Sequence, residues 1–282
     1  MAGIGIPMPA PALILFQSDF EQEDMNCWAT RASDGWNSPG CNGWIEIGGT
    51  VISLVQNQTR RSGTKSLRIE YTQDEQQGGA TREINHDHVY VRFFEYYATD
   101  FDFAAGMKTG RISSFNGNTN NYDIILYSGA RSSNPLNSSD FCGTNDMETL
   151  TLGYNGGPLD WGDVSGNVAM QRGRWYCVEY EVQLNTPGQS NGAVRVWVDD
   201  ALQAQRTNFN IRGNVTALLN RVMIGGWYSN SAAGQNSCPN PQSASVRYID
   251  DVVIATERIG CGTGGSPPDT TPPQAPRGFR FN

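Results

Sequence analysis

The stretch Trp175–Asp200, WYCVEYEVQLNTPGQSNGAVRVWVDD, limits the possible folds more than any other in the chain. Tyr176, Val178, Tyr180, Val182 and Leu184 recur at every second position, and Val194, Val196 and Val198 repeat the pattern. A period of two puts each set on one side of an extended segment, so both runs read as half-buried strands. Between them Asn185-Thr-Pro-Gly-Gln-Ser-Asn-Gly has turn chemistry, because proline fixes φ and glycine tolerates φ > 0. The unit reads as a β-hairpin.

The rest of the chain agrees with an all-β reading. Thirty-two glycines and fourteen prolines are spread over 282 residues, as many short strands joined by tight turns require. That length holds one large all-β domain or two ordinary ones, and 38% hydrophobic content is enough for a sizeable core. Twenty basic against 28 acidic residues give a net charge of −8, which argues against a surface built for nucleic acid. An acidic polysaccharide would need a local basic cleft. Six cysteines without a Cys-x-x-Cys pair, and only two histidines, fit no common zinc or redox pattern and point to disulfides in a secreted, extracellular protein. No apolar run is long enough for a membrane span. The opening MAGIGIPMPAPALILF lacks a basic region and carries three prolines, so residues 1–14 read as a leader or added start. Ala12–Phe16 can begin the first strand.

Several motifs add a family resemblance. Leu15–Trp36, LFQSDFEQEDMNCWATRASDGW, is followed by Ser62-Gly-Thr-Lys-Ser-Leu-Arg-Ile. Later come Phe101-Asp-Phe-Ala-Ala-Gly-Met-Lys-Thr-Gly-Arg-Ile, the central hairpin, Leu218–Tyr228 (LLNRVMIGGWY), and Tyr248-Ile-Asp-Asp-Val within Ser245–Thr256. In this order they resemble the jelly-roll polysaccharide lyases of glucuronan- and alginate-lyase type, and the opening is also similar to jelly-roll carbohydrate-binding modules. The resemblance implies a two-sheet antiparallel jelly-roll β-sandwich, concanavalin A-like, with a concave groove, over residues 15–262. It implies a structural calcium held by Glu21 and by Asp250 or Asp251, hard oxygen ligands brought together from the two chain ends. Lys108 stands at the place of a lysine that lies in the substrate cleft of some lyases. The family's next arginine falls at Ile124 or a neighbour and its Tyr-x-Tyr pair is absent, which leaves Tyr122, Tyr127 and Tyr154 as substitutes.

Val89–Ala98 is the second informative strand. Val89, Val91 and Phe93 make one face, while Tyr90, Arg92, Phe94 and Tyr96 make the other. Flat rings stack on pyranose faces and arginine forks onto a carboxylate, so the second face suits a sugar unless a loop covers it. β-Elimination on a uronate needs a cation at the carboxylate, a base for the C5 proton and an acid for the leaving oxygen. Arg92, Lys108 and Arg111 are the candidate cations, and Tyr96, Tyr122, Tyr127, His86 and His88 the candidate proton carriers. Trp227 and Tyr228 join Tyr90 and Phe94 as candidate sugar contacts. Glu179 and Glu181, about 7 Å apart on one strand face, raise a glycoside hydrolase as an alternative, or line a substrate site. A non-catalytic carbohydrate-binding or adhesion module is the other alternative. A bridge between Cys27 and Cys41 would pin the loop between them, and Cys142 is a candidate partner for Cys177. Residues 263–276 read as a Pro/Gly/Thr linker, and 277–282 resemble the start of a fibronectin type III domain, so a downstream fibronectin-like domain is expected.

Overall fold

A computed structural model describes residues 13–28, 43–44, 46–48, 52–56, 58–71, 77–101, 107–116, 120–129, 149–155, 164–165, 170–228 and 245–262. The strands are β1 (Ile14–Ser18), β2 (Glu46–Gly48), β3 (Ile52–Gln56), β4 (Lys65–Tyr71), β5 (Gln77–His86), β6 (His88–Tyr97), β7 (Met107–Phe115) and β8 (Asn120–Gly129). They continue with β9 (Thr149–Asn155), β10 (Val164–Ser165), β11 (Trp175–Gln183), β12 (Gly192–Val198), β13 (Ala201–Phe209), β14 (Leu219–Tyr228) and β15 (Ser245–Ala255). The expected linker and fibronectin-like start lie outside the described residues, as do residues 1–12.

Two antiparallel sheets form a jelly-roll sandwich. The first has the order β13-β12-β11-β6-β15-β4-β3, with β1 added on β15; the second has the order β10-β9-β8-β7-β14-β5-β2. The alternation read from the sequence decides what lies between them. Val89, Val91 and Phe93 of β6, Tyr176, Val178, Tyr180 and Val182 of β11, and Val194, Val196 and Val198 of β12 enter one core with Tyr122, Ile124 and Leu126 of β8 and Val222 and Ile224 of β14. Each buried aliphatic side chain contributes about 1.5–3 kcal/mol over its exposed state, so a register slip of one residue in β11 would turn this whole set outward.

The hairpin forms as expected, with β11 and β12 paired from Val178↔Val198 to Gln183↔Ala193. Asn185 closes it against a distant loop: its Oδ1 accepts from the N–H groups of Ile211 (2.8 Å) and Arg212 (2.9 Å). The strand is not half-buried, however. Residues 175–182 are buried on both sides of β11, because the closing segment after β15 crosses the outer face. Cys177 pairs with Cys261 of that segment, not with Cys142, which lies outside the described residues. Cys27 is also disulfide-bonded; its expected partner Cys41 falls outside the described residues.

Candidate functional site

The structure divides the candidate residues between the two sheets. On the outer face of the first sheet, β6 and β11 pair Tyr96 with Trp175, Phe94 with Cys177, Arg92 with Glu179, Tyr90 with Glu181 and His88 with Gln183. This is the aromatic and arginine face singled out above, and its Phe94–Tyr96 end is covered. Phe94, Tyr96, Trp175, Cys177 and Tyr248 form a second apolar cluster, packed against Val246 and Cys261. Arg61 and Arg92 place their guanidinium carbons 4.4 Å and 5.2 Å from the Phe94 ring centre. Phe94 and Tyr96 therefore act as core residues of this cluster and not as sugar contacts, while Tyr90 and Arg92 of the same face are half-buried.

The two glutamates are occupied as well. Glu179 is 1% exposed and its carboxylate accepts from the N–H groups of Ile259 (2.7 Å) and Gly260 (2.9 Å), with Arg258 Nε 3.7 Å away. Burial pushes its pKa up, against those N–H donors and Arg258. Glu181 accepts from His88 Nε2 at 2.8 Å and Arg195 at 2.5 Å, and these partners outweigh burial and hold its pKa below the usual range. Burial, then Glu181, pushes Tyr90 well above its ordinary value. Each acid is buried and tied to a different set of partners, so the pair is not free to flank a glycosidic bond as the glycoside hydrolase alternative needs. Arg92 and His88 also separate: Arg92 borders a cavity of about 480 Å³ with Asp19 and Asp251, and His88 one of about 500 Å³ with Asp87 and Arg212.

The expected calcium ligands surround the turn at residues 61–65. Glu21 Oε1 accepts from the N–H groups of Thr64 (2.7 Å) and Lys65 (2.6 Å), and Oε2 from the Thr64 hydroxyl (2.8 Å). Asp250 Oδ2 accepts from the N–H groups of Arg61 and Ser62, and Asp251 Oδ1 from the Ser62 hydroxyl. A cation is already present, since Lys65 Nζ donates to the carbonyls of Glu21 and Glu23, both at 2.8 Å. Among the described residues no three His, Cys, Asp or Glu side chains converge. Calcium wants six to eight oxygens, and this donor set does not fit it; the Lys65 ammonium serves as the clip.

The second sheet holds the remaining candidates. Tyr122 does not reach an outer face: it is fully buried in the core and its hydroxyl donates to the carbonyl of Ala217 at 2.6 Å. Burial pushes its pKa up to about 12. Its neighbour in the candidate set behaves differently. Lys108 of β7 is the register partner of Tyr127 on β8 and of Trp227 on β14, and the row runs on to Thr151 on one side and Gln77 on the other. Tyr228 is next, paired with Met107. Arg111, half-buried, lies three residues from Lys108, about 10 Å along the strand. His86 pairs with Leu219 at the far end of β14, about 30 Å from the row by strand rise.

Two irregularities coincide at this row. Between Lys108 and Gly110 the β7–β8 register shifts, leaving Thr109 as a bulged residue, and the β14–β7 register shifts between Ile224 and Trp227. Bulges re-aim side chains and are enriched beside active sites. Directly alongside, Gly225↔Gly79 and Gly226↔Gly78 make a patch without side chains. Gly225 has φ +85°, and a Cβ there would lie 2.4 Å from the Gly78 carbonyl, so only glycine fits. Sequence reading named Lys108, Tyr127 and Trp227 separately; the two Gly-Gly pairs were the available sign that their strands adjoin at one level.

Residues 162–239 match the model of the polysaccharide lyase 14 family. No curated protein matches the chain. Similar solved structures include a variant of alginate lyase Aly36B in complex with an alginate tetrasaccharide, at 13% identity over 80% of this chain and 93% of that one, with a TM-score of 0.54. The PL-14 alginate lyase from Aplysia kurodai shares 15% identity over 74% of this chain and 88% of its own, with a TM-score of 0.54. Endo-β-1,4-glucuronan lyase from the fungus Trichoderma reesei shares 17% over 77% and 92%, again with a TM-score of 0.54. At these identities the likeness is one of fold. Among the described residues no helix is long and apolar enough to cross a membrane.

Proposed function

We propose that this chain is a secreted polysaccharide lyase that cleaves a uronate-containing polysaccharide by β-elimination, on the outer face of the second sheet. The observation that carries the proposal is the register row Tyr127–Lys108–Trp227, in which a tyrosine, a lysine and a tryptophan occupy partner positions on three adjacent strands. The family match at residues 162–239 and the lyases that share the fold support it. Disulfide bonding of Cys27, Cys177 and Cys261 supports export to an oxidising compartment.

In the reaction a base removes the C5 proton, the C4–O4 bond breaks, a C4=C5 double bond forms and the leaving oxygen takes up a proton. Charge builds on the uronate carboxylate as the proton leaves. Lys108 and Arg111 neutralise that charge, which is the larger effect, because cations already in place lower the barrier without reorganising. Tyr127 moves the proton, a contribution on the order of 10²- to 10⁴-fold. Trp227, in register with Lys108, stacks on a sugar ring. A net charge of −8 repels polyanions at long range, so binding depends on these local cations and weakens with salt.

Incubation with polyglucuronate and with alginate, followed by ultraviolet absorbance of the new unsaturated ends, tests the proposal. Signal with the parent chain and none with Lys108→Ala supports it. Binding to the polymers without any unsaturated product would mark a glycan-binding module instead.

A further inference from the structure

Arg247 of β15 and Glu95 of β6 are fully buried, facing the core between the sheets. Arg247 NH1 lies 3.4 Å from Glu95 Oε2, and its NH2 donates to the carbonyl of Thr109 at 3.4 Å. Tyr97 hydrogen-bonds both side chains. The guanidinium thus spans from the first sheet to the bulged residue of β7, next to Lys108. Tyr180 supports the same spot from below, its hydroxyl 3.2 Å from where a Cβ on Gly110 would sit.

A buried ion pair is a poor way to gain stability, because desolvation costs as much as the attraction returns and an apolar pair of similar volume does as well or better. Its geometric use is a better explanation. The carbonyl of a bulged residue has lost its ladder partner, and a cation arriving through the core fixes where that carbonyl points. We propose that Arg247, held by Glu95, is a positioning residue that locks the Thr109 bulge and so keeps Lys108 in register with Tyr127 and Trp227. This rests on the assignment of that row as the site of β-elimination.

The test is the double variant Glu95→Leu/Arg247→Met in the full chain, read by hydrogen exchange and by turnover of polyglucuronate and alginate. The amides of residues 108–111 are expected to exchange about tenfold faster or more while those of Ile112–Ser114 and the melting temperature hold. kcat is expected to fall about 10²-fold, the cost of a misplacement near 1 Å, with KM within about threefold, since ground-state binding is not what is lost. If the double variant does not fold, Arg247→Lys gives the same readouts: it keeps the charge beside Glu95 but lacks the forked reach to a second acceptor. Unchanged exchange at 108–111 overturns the positioning role. If the parent chain turns over no uronate polymer, the lyase assignment fails, and exchange at 108–111 still decides what Arg247 does for the bulge.

Discussion

Replacing both Cys177 and Cys261 by alanine tests how the closing segment holds the first sheet. The bridge joins residues 84 apart in sequence. In the chain-entropy model a loop of that size removes about 15 cal/mol/K from the unfolded state, or about 4.5 kcal/mol at 25 °C, near the top of the 2–5 kcal/mol seen when native bridges are lost. A second effect follows, because Cys261 anchors the segment whose Ile259 and Gly260 N–H groups satisfy Glu179. Once the segment lifts, a carboxylate that is 1% exposed keeps Arg92 opposite it but gains water on its open side. At about 2–4 °C per kcal/mol for a domain of this size, the melting temperature should drop by about 9–18 °C, measured calorimetrically with and without reductant. Glu179→Gln should lower stability far less in the double variant than in the parent, since the donors it answers are then absent. A drop of only a degree or two, or equal effects of Glu179→Gln in both backgrounds, would refute the strap.

Three further outcomes follow from the geometry. Lys65→Ala should cost about 2 kcal/mol, as charge-assisted hydrogen bonds to the Glu21 and Glu23 carbonyls are lost, while excess calcium or EDTA should leave the parent's melting temperature unchanged. Burial, with Asp251 beside it, raises Asp250 from 3.8 to about 7; the folded state then holds its proton more tightly than the unfolded chain, so this group's contribution is full below pH 4 and is lost as pH rises to 7. Melting curves from pH 4 to 8 should therefore slope less in Asp250→Asn. Gly225→Ala should cost about 3 kcal/mol, the upper end for one strained non-glycine backbone, with activity lost along with the bulge beside Trp227, as chemical denaturation and turnover would report.

The fold was legible because alternation is a local property. Tyr176 to Leu184 and Val194 to Val198 declare their inward side wherever the strand ends up, and the structure places them in the core. The site was only half legible, for a related reason: parity gives the side of a strand but not the sheet to which the strand belongs. Arg92 and Tyr96, like Lys108 and Tyr127, are a cation and a tyrosine in strands of the same alternating kind, yet β6 lies in the first sheet and β7 and β8 in the second. The polar-aromatic face of β6 looked like a sugar platform because its cover, Arg258 to Cys261, comes more than 160 residues later in the sequence. Likewise the Ser-Gly-Thr-Lys-Ser-Leu-Arg-Ile motif carried a resemblance, but nothing in it said that Lys65 would bring its ammonium to the carbonyls of Glu21 and Glu23. Arg247 and Glu95 escaped notice because charged residues in strands are usually solvated, and only the packed sheets bury these two.

The central claim is that chemistry belongs to the second sheet, and a matched pair of substitutions addresses it most directly. Tyr127→Phe and Tyr96→Phe remove the same oxygen from opposite sheets, and kcat on polyglucuronate or alginate is measured for both. The account predicts a fall of about 10²-fold or more for Tyr127→Phe and parent-like turnover for Tyr96→Phe. Loss of turnover in Tyr96→Phe with full activity in Tyr127→Phe would contradict it.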